Sequence, residues 1–304
     1  MKFIAVINQD GGSAKSLDMK DFSTFLHQVF KEEQHAIDIN VVKGESLMEE
    51  LRSCFAKDDA DAVIVCGGDG TISAAARLAF KHDKVLGIIP AGTFNLFARS
   101  AQIPLDLYQA AEYLSKSTPQ RCDIATVNGL TFVHQFSIGI QPQMIEERDQ
   151  AEHSGQIGKI LNAAAAAVNV LSDHKQYKLS ISGIDLEGRQ MKYDNLDVSF
   201  LAAANNRYGS GHLPYADNLN GGEIAAYWSK PLSVTQGIEI TSDLLTGRWE
   251  NNQQLVFQPC KRLNIAIHNA EENDQASIDG ELVPLESALE IKIHPKALQV
   301  LMKK

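Results

Sequence analysis

Nine consecutive residues constrain this chain most: Val63-Ile64-Val65-Cys66-Gly67-Gly68-Asp69-Gly70-Thr71. Residues 62–66 are apolar and β-prone, the composition of a strand buried on both faces of a parallel sheet. Three glycines and an aspartate follow at once, and Thr71 leads an Ala-rich helical segment, residues 72–80. A strand passing through a Gly-rich turn into a helix N-terminus brings backbone N–H groups and the positive end of the helix dipole together, the geometry that binds phosphate. The carboxylate of Asp69 would repel a phosphate there unless a metal ion stood between them. The bland reading is an ordinary βα turn, since Gly and Asp are common turn residues.

The surrounding pattern agrees with an α/β arrangement. Residues 3–7, 36–42, 62–66 and 85–89 read as strands, and 21–33, 46–56, 72–80, 95–100 and 105–115 as helices. That alternation predicts a parallel sheet with helices on both faces and ligand sites at the C-terminal strand ends. From about residue 121 the rhythm changes. Residues 124–127, 131–136, 177–182, 197–203, 223–228, 263–268 and 289–294 read as strands, several alternating apolar and polar as half-buried antiparallel strands do. Helical patterns interrupt at 156–171 and 233–245. The fold class expected is α/β plus β: an N-terminal parallel-sheet domain over 1–120, and an antiparallel β-sandwich domain over 121–304.

Charge and composition remove several function classes. The net charge of −10 argues against nonspecific nucleic-acid binding and against strong docking on an anionic membrane. Cys54, Cys66, Cys122 and Cys260 are widely spaced, with no C-x-x-C pair, which fits neither a zinc site nor a disulfide framework and suits a reducing cytosol. Residues 1–8 read as a first strand and not a signal peptide, and the apolar run 160–172 is too short to span a membrane. The 156–171 segment is apolar around most of its circumference, as a buried helix is, with a lipid-facing role the alternative. The expected location is cytoplasmic, with any contact at an inner membrane surface peripheral.

A second Gly-containing turn, Pro90-Ala91-Gly92-Thr93-Phe94-Asn95, follows the next strand. Two such loops in register, each with hydroxyl or amide donors (Thr71, Thr93, Asn95), favour phosphate binding over plain turns. The first strand also ends in a polar, Gly-containing stretch, Asn8-Gln9-Asp10-Gly11-Gly12-Ser13, which matches no dinucleotide fingerprint. Ala14-Lys15-Ser16 mimics the end of a Walker A loop without its glycines.

Gly67-Gly68-Asp69-Gly70-Thr71 followed by Gly92-Thr93-Phe94-Asn95-Leu96-Phe97-Ala98-Arg99 resembles the diacylglycerol kinase catalytic domain family, in particular bacterial lipid kinases related to diacylglycerol and sphingosine kinases. The similarity continues through Asp123, Asn205, Gly209-Ser210-Gly211, Asn220-Gly221-Gly222, Asp279-Gly280-Glu281 and His294-Pro295-Lys296-Ala297-Leu298. The resemblance implies a nucleotide-binding α/β domain, a C-terminal sandwich, an active site in the cleft between them, and a last segment that returns to the N-terminal domain. It implies ATP and Mg²⁺ as cofactors. Asn8, Gln9, Asp10, Gly11, Gly12, Gly67, Gly68, Asp69, Gly70, Thr71, Ile72, Ser73, Gly92, Thr93 and Asn95 would contact the nucleotide, with Asp69 acting through magnesium. Asp279 and Glu281 compete for the role of general base, while read alone Asp279-Gly280 is equally a hairpin turn. A separate magnesium site would use Asp217, Asn220 and the carbonyl of Gly222, with Asn220 standing where the family carries an aspartate, which weakens a hard-cation site. Leu96 likewise replaces a polar residue of the family's pattern.

The expectation is an ATP-dependent lipid kinase whose lipid substrate is reached by transient contact with a membrane surface, with no nucleic-acid partner and no transmembrane segment. The alternatives are an NAD kinase, which shares the Gly-Gly-Asp-Gly signature, and a noncatalytic lipid- or nucleotide-binding protein of the same fold. The acceptor and the oligomeric state, a homodimer included, are encoded in no motif.

Overall fold

The computed structural model describes residues 1–151, 174–211 and 213–303, and the chain divides into two compact units, Met1–Ile124 with His294–Lys304, and Ala125–Ile293. The helical pattern at 156–171 lies outside the described residues.

In the first unit, β1 (Lys2–Asn8), β2 (Ala36–Val42), β3 (Ala62–Gly67) and β4 (Val85–Pro90) form a parallel sheet in the order β2-β1-β3-β4. Every residue of β3 and β4 is buried, as continuous apolar runs require. The register sets Val6 beside Val65 and Val65 beside Ile88, so the three strands end level with one another. Helices α1 (Met19–Glu32), α2 (Gly44–Ala56), α3 (Asp69–His82), α4 (Leu96–Ser100) and α5 (Leu107–Ser115) connect the strands and cover the sheet. Phe22, Leu26, Val29 and Phe30 recur at helical spacing and are buried, and Phe30 meets Phe3 of β1 edge-on at 5.0 Å. Each such side chain removed from water contributes about 1.5–3 kcal/mol. Asp18 and Asp106 cap α1 and α5 by accepting two backbone N–H bonds each.

The second unit is antiparallel. It contains the last three residues of β5 (Thr118–Val127), then β6 (Leu130–Phe132), β7 (Gln135–Gly139), α6 (Ile140–Ala151), β8 (Tyr177–Asp185), β9 (Gln190–Val198), β10 (Phe200–Asn205), β11 (Ile224–Ser229), α7 (Val234–Thr246), β12 (Leu255–Ile267), β13 (Gln275–Ile278) and β14 (Glu281–Pro284). The final strand, β15 (Ala288–Met302), begins in this unit beside β12 and ends in the first unit, parallel to β4. One run of strands is β14-β13-β7-β10-β11-β12. The long strand β12 pairs with β11 up to Cys260, shifts register before Arg262, and from there pairs with β8 and β15. Strand β12 therefore belongs to both layers of a sandwich, and Ile138, Leu201, Trp228, Leu179, Leu263 and Ile291 meet in one core.

The structure splits two strands that the sequence pattern runs together. The stretch 131–136 is β6 and β7, interrupted at Val133 and His134, whose N–H groups turn to the Asp279 carboxylate. The stretch 197–203 breaks at the buried Ser199, whose hydroxyl accepts the Leu232 N–H at 2.8 Å. Strand β15 continues past Pro295 for seven further residues, to Met302, with Lys296 in the left-handed region and its N–H on Asp123.

Candidate functional site

In the first unit, β1, β3 and β4 are sheet neighbours, so the loops that follow them leave one edge together. Gly12 has φ +40°, and a Cβ there would lie 1.7 Å from the Ala91 carbonyl oxygen, which also accepts the Ser13 N–H at 2.9 Å. The loop after β1 is therefore seated directly on the loop after β4. A Cβ on Gly92 would lie 2.8 Å from Gly68 Cα, which packs the loop after β4 against that after β3. A Cβ on Gly67 would collide with the Thr71 side chain at 2.5 Å. Glycine at these positions is a packing requirement: the three backbones approach as closely as side-chain-free residues permit.

Polar side chains lock the loops. Asp69, first residue of α3, accepts the Asn95 N–H at 2.9 Å and the Leu96 N–H at 2.7 Å, one on each carboxylate oxygen. Asn95 sits at φ +52°, which its short amide tolerates, and bonds Gly92 twice, to N–H and to C=O, at 2.8 Å each. Asn8 accepts the Asp10 N–H, Asp10 accepts the Gly44 N–H at the start of α2, and the Gln9 N–H donates to Val42. The side chains of Asn8, Asp10, Asp69 and Asn95 are thus braces. Ile72 and Ser73 are buried on α3, behind the loop rather than on it. Gly11 and Gly70 are half-exposed, and Thr71 and Thr93 reach solvent at the loop surface.

The N-terminus of α3 stands apart from those of α1, α2 and α5. Its N-cap, Gly68, has no side chain to offer, whereas Asp18, Asp10 and Asp106 cap the other three. Its first-turn N–H groups have no side-chain cap, and orphan donors with a positive helix end suit an anion. A glycine-walled cradle of this kind fits a nucleotide's phosphates.

In the second unit, Asp279-Gly280 is the two-residue turn of the β13–β14 hairpin, with φ +51° and +88°, both left-handed as a type I′ turn demands. The Asp279 carboxylate accepts three backbone N–H groups, from Val133 (3.0 Å), His134 (2.8 Å) and Gln135 (3.0 Å). The Asp279 N–H returns a bond to the Gln135 carbonyl at 2.8 Å. Glu281, two residues on, is exposed, and its carboxylate bonds no described residue. The structure thereby gives the competing candidates different jobs: Asp279 holds the backbone, and Glu281 presents a carboxylate to solvent.

Next to this turn lie residues that the sequence pattern did not single out. Gln135, 6% exposed, takes a hydrogen bond on its side-chain oxygen from the Tyr208 hydroxyl. Tyr208 stacks flat on Tyr227, with ring centroids 5.0 Å apart, and edge-on against Trp249. Burial, then Tyr227, then the Asp279 carboxylate push the Tyr208 phenol well above its ordinary pKa, so it stays a donor. A glutamine inside the apolar strand 135–139 was the one available signal.

Of the residues expected at a second magnesium site, Asp217 lines a cavity of about 380 Å³, along with Asn206, Gly221 and Glu223. Asn220 and Gly222 are not among its lining residues, and Glu223 is paired with Arg207 at 3.6 Å. Both side-chain polar atoms of Asn206 are buried with no partner among the described residues. Of the three carboxylates on the lining, Asp217, Glu223 and Glu250, one is thus already paired, and no group of three acidic, His or Cys side chains that could hold a metal ion occurs among the described residues.

Comparison with known proteins finds similarity in both sequence and fold. Residues 2–127 match the diacylglycerol kinase catalytic domain. A protein of Streptococcus pneumoniae serotype 4 described as a "Putative lipid kinase" is 24% identical over 99% of this chain and 98% of its own length. A "Putative lipid kinase" of Staphylococcus epidermidis is 26% identical over 80% of this chain and 77% of its own. Among solved structures, a "putative diacylglycerol kinase" from Bacillus anthracis strain Sterne superposes with a TM-score of 0.76 at 18% identity, over 99% of this chain and 95% of that one, which shows a common fold. No described helix is long and apolar enough to cross a membrane. Residues 2–127, which carry the Gly-Gly-Asp-Gly loop, thus match the diacylglycerol kinase catalytic domain, and the chain over its length is similar to putative lipid kinases.

Proposed function

We propose that this chain transfers the γ-phosphate of ATP to a hydroxyl group of a diacylglycerol-like lipid, which it reaches by transient contact with a membrane surface. The observation that carries the reading is the cradle at the ends of β1, β3 and β4, in which three loops meet through Gly12, Gly68 and Gly92 around the uncapped start of α3. Phosphoryl transfer asks a protein mainly for positioning and charge stabilisation, which backbone donors in a rigid cradle supply. Thr71 and Thr93 add hydroxyl donors at its surface. Magnesium, bound with the nucleotide, neutralises charge on its phosphates. Asp69 is the acidic side chain at the start of α3 and keeps lone pairs beyond the two it gives to the loop, so it fits that role. In the second unit Glu281 accepts the proton of the attacking hydroxyl, because the Asp279 carboxylate is already bound to three backbone N–H groups.

Labelled ATP offered with vesicles of extracted bacterial lipids, and in parallel with NAD, tests the reading, with products identified by mass spectrometry. The expected product is a phosphorylated lipid. Label on NAD without label on lipid would replace the reading with an NAD kinase. Nucleotide binding without transfer at any magnesium concentration would make the chain a binding protein.

A further inference from the structure

Val133 and His134 join β6 to β7, Gln135 opens β7, and the backbone of these three residues is held from two sides. On one side stands Asp279, whose carboxylate takes all three N–H groups and whose own N–H donates to the Gln135 carbonyl at 2.8 Å. On the other side stands Asn205. Strand β10 lies antiparallel to β7 with Ala204 opposite Gln135, which carries the next residue, Asn205, to His134. The Asn205 backbone N–H donates to the His134 carbonyl at 2.8 Å, and its side-chain Nδ2 to the Val133 carbonyl at 3.1 Å. Three N–H groups and three carbonyls thus find their partners in two residues. Asn205 is 2% exposed and Val133 is buried as well, so removing the Nδ2 donor would leave a carbonyl unpaired away from water. Asparagine suits the position because one residue must donate twice to successive carbonyls; aspartate has the same shape but, ionised, only accepts.

The far end of this clamp is the turn that carries Glu281, the first residue of β14 and two residues beyond Asp279. The Glu281 carboxylate bonds no described residue, so its place is set by the backbone on which it stands. We infer that Asn205 is a positioning residue for Glu281: through the backbone of 133–135 and the Asp279 carboxylate, it fixes the turn from which Glu281 is presented. A proton acceptor displaced by about an ångström loses on the order of a hundredfold in rate. The effect on transfer rests on the reading of Glu281 as the proton acceptor; the mechanical link from Asn205 to the turn does not.

Hydrogen exchange of the full chain, followed residue by residue by NMR, tests the link without any substrate. In the unaltered protein the N–H groups of Val133, His134, Gln135, Asn205 and Asp279 should open as one unit, with protection factors equal within about threefold. His134 opening a hundredfold more readily than Asp279 would show that the clamp does not exist, and this measurement decides the matter should the variant below not fold. Asn205→Ala should speed exchange at Asp279 about ten- to a hundredfold while leaving Leu263 of β12 unchanged; unchanged exchange at Asp279 overturns the inference. In turnover, Asn205→Ala should lower kcat about a hundredfold with the KM for ATP unchanged. In a Glu281→Gln background the same substitution should lower kcat by less than about twofold further, because the group it positions is already gone. Equal factors in the two backgrounds would mean a general structural loss and would overturn the positioning role. Coupled exchange with no transfer to lipid by the unaltered protein would sink the kinase reading and keep the link; transfer that Asn205→Ala leaves untouched would do the reverse.

Discussion

The Asp69 carboxylate accepts the backbone N–H of Leu96 at 2.7 Å across two loops that are 27 residues apart in sequence. It caps the short helix α4, whose own N-cap, Asn95, makes no side-chain cap bond. Asp69→Ala should therefore destabilise the first unit by about 2–3 kcal/mol, through loss of a charged cap and its hydrogen bonds, and lower the melting temperature by about 5 °C or more. Asp69→Asn retains one acceptor oxygen and should cost about 1 kcal/mol. If the charge acts on the nucleotide's magnesium, Asp69→Asn should still lower transfer by at least about a hundredfold. Melting curves and turnover measured on both variants separate the roles: turnover that merely tracks stability leaves Asp69 as a brace.

Gly12 is the tightest point of the cradle. Alanine there must relieve both φ +40° and a 1.7 Å approach to the Ala91 carbonyl, which only a shift of the loop can do. We expect Gly12→Ala to cost about 1–3 kcal/mol and to raise the Kd for ATP at least about tenfold. Gly129→Ala is the control, since its Cβ meets nothing within 4 Å although its φ is also positive, so it carries the backbone cost without the collision. Equal ATP affinity in the two variants would show that the loop after β1 takes no part in the cradle.

How far the sequence reveals this arrangement depends on where the information sits. Strands β2 and β3 and the helices of the first unit are legible because each is local: an unbroken apolar run, or apolar residues at helical spacing. The cradle is legible for a related reason, since its close approaches force glycine and leave a visible mark at 67, 68 and 92. What was not legible depends on distant partners. The break between β6 and β7 is made by Asp279, about 145 residues away, which takes the N–H groups of Val133 and His134. Nothing near residue 133 announces it. Likewise Asn8, Asp10 and Asn95 are the residue types that bind phosphate and equally those that brace loops, and only their partners show that their side chains brace.

The contrast between Asp279 and Glu281 gives opposite expectations for two carboxylates in one turn. Asp279→Ala leaves three backbone N–H groups without their acceptor, and should destabilise the second unit by about 3–5 kcal/mol, read as an early unfolding transition in urea. Glu281→Gln alters an exposed side chain at the first position of β14, and should change stability by less than about 0.5 kcal/mol. As the proton acceptor it should nonetheless lower turnover about a hundred- to ten-thousandfold, with the KM for ATP unchanged. Normal turnover in Glu281→Gln would remove it as the base.

The four cysteines are all buried and unpaired with one another. Burial pushes the thiols of Cys54, Cys66, Cys122 and Cys260 up to about 12, with the Glu50 carboxylate adding to the effect at Cys54. An unfolded thiol titrates near 8.5, so between that pH and about 12 the unfolded chain releases protons that the folded chain keeps. Stability from these groups is therefore fully present below about pH 8.5 and is lost as pH rises towards 12. The Tyr208 phenol, raised chiefly by burial, acts in the same direction above about pH 10. Urea midpoints should be level from pH 7 to about 8.5 and should fall steadily by pH 10.5, with an unchanged m-value. At pH 7.5 a chromogenic disulfide reagent should react with the four thiols only at the rate of unfolding, and all four should react at once in denaturant. A thiol that reacts immediately in the native protein at that pH would show that its strand or helix opens locally, and would remove that residue from the alkaline loss.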